Sequence, residues 1–265
     1  MTQPILDRPG ILRVLFHPRR DWASPHASHA HPVSIQVEPA VSVGGRLHPA
    51  RRESPAILFF HGNGEIASDY DDLAPVYNQL DITLLVMDYR GYGTSDGAPT
   101  AANLLSDAVI VHDATRRVLG DHALNPARLY VMGRSLGSAA AIEIARQRGA
   151  KLAGLIVESG FADTFALLAR LGVWTQGADE DRDGFGNLSK IAQITTRTLI
   201  IHGEDDILIP ASDGIALHSH CAASDKQLVL IPNAGHNDLM MVGMEQYFAA
   251  IQEFVSGKRH DAGTT

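Results

Sequence analysis

One cysteine, Cys221, stands in 265 residues, so no intrachain disulfide framework is expected, and Cys221 itself reads as a small buried hydrophobe. Positive charge is also in deficit, with 22 Lys and Arg against 30 Asp and Glu, a net charge of −8 with the 13 histidines neutral. A field of that sign repels polyanions and argues against nucleic acid as a partner. Long apolar runs are missing as well. Stretches such as Leu152–Val157 and Thr198–Ile201 fall far short of the ~20 residues a membrane helix needs, and have the length of buried strands instead. Met1–Arg20 lacks a basic start followed by an apolar stretch, so no secretory leader and a cytoplasmic location are expected. What is present is an ordinary globular composition, 45% hydrophobic, long enough to bury one sizeable core without metal, disulfide or partner.

Residues 1–32 carry Pro4, Pro9, Pro18, Pro25 and Pro32 and read as an irregular N-terminal arm covering the core. His26, His29 and His31 lie in this arm, but a proline-bracketed segment with no carboxylate set beside it fixes no coordination geometry, and no metal site is expected. From residue 33 onward short β-branched runs alternate with segments of helical period, the pattern of a mostly parallel sheet of about eight strands with helices on both faces. Val33–Glu38 and Val41–Pro49 predict an opening antiparallel pair. Strands are predicted over Ala56–Phe60, Ile82–Asp88, Arg128–Met132, Leu152–Glu158, Thr198–His202 and Gln227–Ile231. Between them the spacing predicts helices over Ala67–Leu80, Asn103–Leu119, Leu136–Arg148, Ala211–Cys221 and Leu239–Val255. Residues 33–256 therefore read as one α/β domain and 257–265 as a tail. A flap within 160–196 breaks the rhythm and is too short to be a second domain. Its acidic run Asp179–Gly184 begins like a calcium loop, but Lys190 stands where that loop needs a bidentate Glu, so a solvated flap is the better account.

Three segments carry chemistry. Gly133-Arg134-Ser135-Leu136-Gly137 follows a predicted strand and opens an alanine-rich helix. A serine on so sharp a turn is strained and pushed out above the strand ends, beside a helix N-terminus suited to a developing oxyanion. Serine needs a base, and the base an orienting acid. His202-Gly203-Glu204-Asp205-Asp206 and Gly235-His236 each follow the carboxyl end of a predicted strand, where open α/β sheets bind ligands. The order serine, acid, histidine matches one of the three known chain orders of such sets.

With His61-Gly62-Asn63-Gly64 and Asp88-Tyr89-Arg90-Gly91-Tyr92-Gly93-Thr94-Ser95, these motifs resemble the α/β-hydrolase superfamily across nearly all of 33–256. Within it the chain is similar to compact, small-lid serine hydrolases. The resemblance implies Ser135 as nucleophile, His236 as general base then acid, and Asp206 as the residue orienting the imidazole. Asp205, or Glu158 or Asp163 after the sixth strand, are the alternatives for the acid. It also implies the main-chain N–H groups of Asn63 and Leu136 as oxyanion donors, with no cofactor. His61 and His202 are expected to brace their loops, and Asp88, Arg90 and Ser95 to support the serine turn, the rival reading for these three being contact with substrate. Glu65 has two readings, a helix N-terminal acid or a carboxylate at the pocket mouth. The implied activity is hydrolysis of carboxylic esters or thioesters through an acyl-serine, on a small-molecule or acyl-group substrate. The rivals are a peptidase or amidase, a carbon–carbon hydrolase or perhydrolase on the same fold, and a catalytically silent binding protein.

Overall fold

The aliphatic runs pair into a single sheet. In the computed structural model, which describes residues 4–21 and 29–257, its strands are β1 (His31–Glu38), β2 (Val41–His48), β3 (Ala56–Phe60), β4 (Thr83–Met87), β5 (Leu129–Arg134), β6 (Gly154–Glu158), β7 (Thr198–Gly203) and β8 (Lys226–Ile231). They lie in the order β1-β2-β4-β3-β5-β6-β7-β8. β2 pairs antiparallel with β1 and β4, and every other neighbour pair is parallel. Every residue of β3 to β7 is buried, as expected where helices cover both faces of a parallel sheet. Alternate side chains feed two cores. Leu58, Phe60, Val131 and Val157 face one side, and Ile57, Phe59, Met132 and Ile156 the other.

The first core is closed by α1 (Pro9–Leu15), α3 (Ala101–Asp121), α4 (Gly137–Arg148) and the flap helices α5 (Thr164–Arg170) and α7 (Asn187–Ile191), with α8 (Ala211–His220) beside them, while the short flap helix α6 (Glu180–Asp183) buries no residue. The second is closed by α2 (Ala74–Gln79), α9 (Leu239–Val242) and α10 (Met244–Ser256). Pairing of Phe60 with Gly133, Arg134 with Glu158, and Gly203 with Ile231 aligns the carboxyl ends of β3, β5, β6, β7 and β8. All the loops read as functional leave from this one edge.

Several boundaries differ from the periodicity. Ala67–Leu80 is a 3₁₀ turn at Ala67–Tyr70 followed by α2, whose second residue is Pro75. A proline lacks the N–H that would continue a helix and clashes with the carbonyl four residues back, so the helix restarts there. Leu239–Val255 is likewise two helices divided at Gly243, whose Cα packs so tightly on Ile231 that a Cβ would collide with its side chain. The arm also contains more order than its prolines suggest. Pro9 opens α1, a permitted place for proline, and Ile11 and Leu15 with Leu6 and Phe16 are buried in the first core. His26 and residues 258–265 lie outside the described residues. His29 Nε2 lies 3.1 Å from the carbonyl oxygen of Asp71, and the His31 ring is 5.2 Å from that of His122. In the flap, Asp179 caps α6 by accepting from Arg182 N at 3.0 Å, and Glu180 accepts from Thr164 N and Gly186 N, both at 2.9 Å.

Candidate active site

Ser135 sits between β5 and α4 with φ of 51°, a left-handed conformation that costs energy for any residue but glycine. The turn is held by Ser135 N donating to the Glu158 carbonyl at 2.9 Å. Its two glycines are required sterically. A Cβ on Gly133 would collide with the carbonyl of Gly137, and a Cβ on Gly137 with that of Phe60. The helix start is thereby drawn against the end of β3, close to the His61-Gly62-Asn63 loop.

His236 follows β8 and presents Nε2 to Ser135 Oγ at 2.9 Å and Nδ1 to Asp206 Oδ2 at 2.7 Å. Asp206 Oδ1 accepts from Leu208 N at 2.9 Å and Ile209 N at 2.8 Å, which fixes its carboxylate plane. All three residues are buried. Burial works against the Asp206 charge, but hydrogen bonds from His202 and His236 outweigh it and hold the carboxyl well below the ordinary carboxylate range. The other candidate acids are elsewhere. Asp205 is exposed, Asp163 caps α5 through Ala166 N at 2.8 Å, and Glu158 accepts from Tyr247 Oη at 2.8 Å and Arg134 Nε at 3.1 Å.

The main-chain N–H groups of Asn63 and Leu136 have no hydrogen-bond acceptor among the described residues. The Asn63 side chain is turned the other way, its Oδ1 accepting from His17 N at 2.8 Å and Tyr92 Oη at 2.7 Å. His61 and His202 are fully buried, His61 Nε2 lying 3.2 Å from Asp88 Oδ1 and His202 Nε2 2.7 Å from the Ile209 carbonyl. Arg90 forks onto Asp107 at 2.6 and 2.7 Å, and Ser95 Oγ accepts from Gly44 N at 2.8 Å. These side chains brace loops. Glu65 fits neither of its sequence readings, for it is ion-paired with Arg134 and accepts from Gly62 N and Tyr70 Oη at 2.7 Å each. Burial, the largest influence, opposes its charge, but the Arg134 guanidinium together with the hydrogen bonds from Tyr70 and Gly62 N lowers its pKa.

Above Ser135 and His236 lies a cavity of about 240 Å³ walled by Val14 and Leu15 of the arm, Leu167 and Leu171 at α5, and Leu208. Arg134 and His17 also border it, and neither stood out in the sequence as a site residue. Arg134 was visible only as the variable residue of the serine motif, and His17 as one histidine in a proline-rich arm.

Residues 52–174 match the family model described as serine aminopeptidase, S33. An uncharacterized protein of Mycobacterium tuberculosis is 30% identical over 226 residues, covering 84% of this chain and 78% of that protein. Human alpha/beta hydrolase domain-containing protein 17B is 31% identical over 208 residues, 76% of this chain and 66% of the human one. The chain belongs to the α/β-hydrolase superfamily. This α/β hydrolase shares its fold with the Pyrococcus furiosus esterase Pf2001, at a TM-score of 0.72 and 19% identity over 91% of this chain and 98% of that one. A soluble variant of Saccharomyces cerevisiae monoglyceride lipase superposes with a TM-score of 0.66 and 14% identity over 89% and 98% of the two chains. In the α/β hydrolase described here, the family-model match takes in the Asn63 loop and the Ser135 turn, while Asp206 and His236 follow it in the chain.

Proposed function

We propose that this α/β hydrolase cleaves carboxylic esters or thioesters through an acyl-serine intermediate. The observation that carries the reading is the hydrogen-bonded chain from Ser135 through His236 to Asp206 beneath an apolar cavity. In the reaction His236 Nε2 takes the Ser135 proton as Oγ attacks the acyl carbon, and Asp206 holds the imidazole in the tautomer that presents a bare Nε2. The N–H groups of Asn63 and Leu136 receive the developing oxyanion, each worth about 3 kcal/mol of transition-state stabilisation. The tetrahedral intermediate collapses by expelling the alcohol or thiol, which leaves with the proton held by His236. Water then attacks the acyl-serine by the same proton route and releases the acid.

The cavity of about 240 Å³ is lined largely by valine and leucine side chains, which suits the apolar chain of an acyl group. The matched family description raises an aminopeptidase as second reading. Holding a substrate ammonium calls for a free carboxylate, yet among the described residues no Asp or Glu lines the cavity and the nearby Glu65 is spent on Arg134. Esters are therefore preferred over peptides.

Hydrolysis of p-nitrophenyl esters from acetate to palmitate tests the reading. Ser135→Ala is expected to abolish turnover while keeping the melting temperature, and wild type to be labelled at Ser135 by a fluorophosphonate. Ester turnover by Ser135→Ala at the wild-type rate would overturn it.

A further inference from the structure

Arg134 is a buried guanidinium, 8% exposed, whose donors reach acceptors on three separate segments. Nε donates to Glu158 at the end of β6 at 3.1 Å. Nη1 pairs with Glu65 on the loop after β3. Nη2 donates to the main-chain carbonyl of His236 at 2.8 Å and to Asn237 Oδ1 at 3.2 Å. The far sides of both carboxylates are satisfied too, by Tyr247 on Glu158 and by Tyr70 and Gly62 N on Glu65. A Cβ at Gly62 would collide with Arg134 Nη1, so the glycine of that loop makes room for the guanidinium.

These contacts have a geometric consequence. β5 and β8 are separated in the sheet by β6 and β7, so no ladder fixes the serine turn relative to the histidine loop. Among the described residues, the hydrogen bonds joining residues 133–136 to residues 232–238 are the Ser135–His236 contact itself and the two from Arg134 Nη2. The same group holds Glu65, which in turn holds Gly62 N one residue before Asn63. Arginine suits this task because its planar fork aims several donors at once, where lysine offers a point charge.

We propose that Arg134 is a positioning residue that sets the His236 main chain and the Asn63 loop against the Ser135 turn. It rests on the acyl-serine reading and assigns the guanidinium no contact with substrate. Arg134 acts through the groups it holds, so its loss misplaces the base and the oxyanion donors in the transition state and leaves acyl binding in the leucine-lined cavity largely intact.

The test is made on the full-length chain, with ester kinetics, the rate of Ser135 phosphonylation by a fluorophosphonate, and melting temperature. Arg134→Lys keeps the buried charge and loses the fork. Its kcat and labelling rate are expected to fall about 10- to 100-fold with KM within about threefold, the scale of a misplaced reacting group. Asn237→Ala alters an exposed residue, leaves the fold intact, and is expected to lower kcat a few-fold by removing one of the two Nη2 tethers. Wild-type kcat and labelling rates in both variants would overturn the proposal, as would a loss expressed in KM alone. If wild type neither cleaves esters nor labels, the acyl-serine reading has failed. If it does both and the variants match it, only the role of Arg134 has failed.

Discussion

At the scale of the residue, the site depends on which of two adjacent aspartates faces the histidine. Asp206 lies 2.7 Å from His236 and is buried, while Asp205 is exposed. Asp206→Asn is expected to lower kcat by about 10³- to 10⁴-fold, because an amide stabilises the wrong imidazole tautomer. Asp205→Asn is expected to leave kcat unchanged, and steady-state ester kinetics on the two variants decides the assignment. The depressed carboxyl of Asp206 also links to stability. The folded state holds it ionised, so its contribution is present above the usual carboxylate range and is lost as pH falls through the folded value. Ser135, Asp206 and His236 were legible because each is announced locally, the serine by its flanking glycines and the other two by strand ends. Arg134 was not, because its partners Glu65, Glu158 and His236 lie 69, 24 and 102 residues away. A sequence displays the donor and leaves out the acceptors that give it meaning.

At the scale of the element, strands were read better than helices. β3 to β7 are built on apolar runs whose burial needs no caps, with polar groups such as Arg134, Glu158 and His202 confined to their carboxyl ends, and their limits moved by a residue or two. The short helices depend on tertiary packing that periodicity does not show. α1 has seven residues, too few to be stable alone, and forms because Ile11 and Leu15 dock on the first core. β2 carries a separate liability. His48 at its end is fully buried, both ring nitrogens lack a hydrogen-bond partner among the described residues, and Asp71 Oδ1 stands 3.5 Å from Nε2. Burial first, then the positive neighbours His29 and Arg46, lower its pKa from 6.5 to about 4. Between those values the unfolded chain binds more protons than the folded one, so stability falls as pH drops from about 6.5 toward 4, by about 3 kcal/mol at most. Urea midpoints at pH 7 and pH 5 are expected to differ more for wild type than for His48→Gln. Equal differences would show that another group controls the slope.

At the scale of the whole molecule, the arm packs against the side of the protein that carries the candidate site. His17 is hooked to Asn63 and Tyr92, Asp7 Oδ1 accepts from Ala101 N at the start of α3 at 2.8 Å, and Gly93 N donates to the Arg19 carbonyl at 2.8 Å. Leu15 and Phe16 are 2% and 4% exposed. Phe16→Ala is expected to cost about 3–5 kcal/mol of folding stability and Leu15→Ala about 2–5 kcal/mol. Leu15→Ala should also widen the acyl cavity, which urea unfolding and the acyl-length profile together would register. Charge is organised on the same scale. Part of the acidic charge is drawn inward, with Glu65, Glu158 and Asp206 each bonded to a named donor, and in the flap Asp179 caps α6. The cavity is lined by Val14, Leu15 and His17 from early in the chain, by Ser135 from its middle and by Leu208, His236 and Asn237 from late in it. During synthesis the first group leaves the ribosome before the serine and the last group long after it. A nascent chain therefore carries its proposed nucleophile without the proposed base or a closed pocket, and on this reading acquires the capacity to react only when almost all of the sheet has been made.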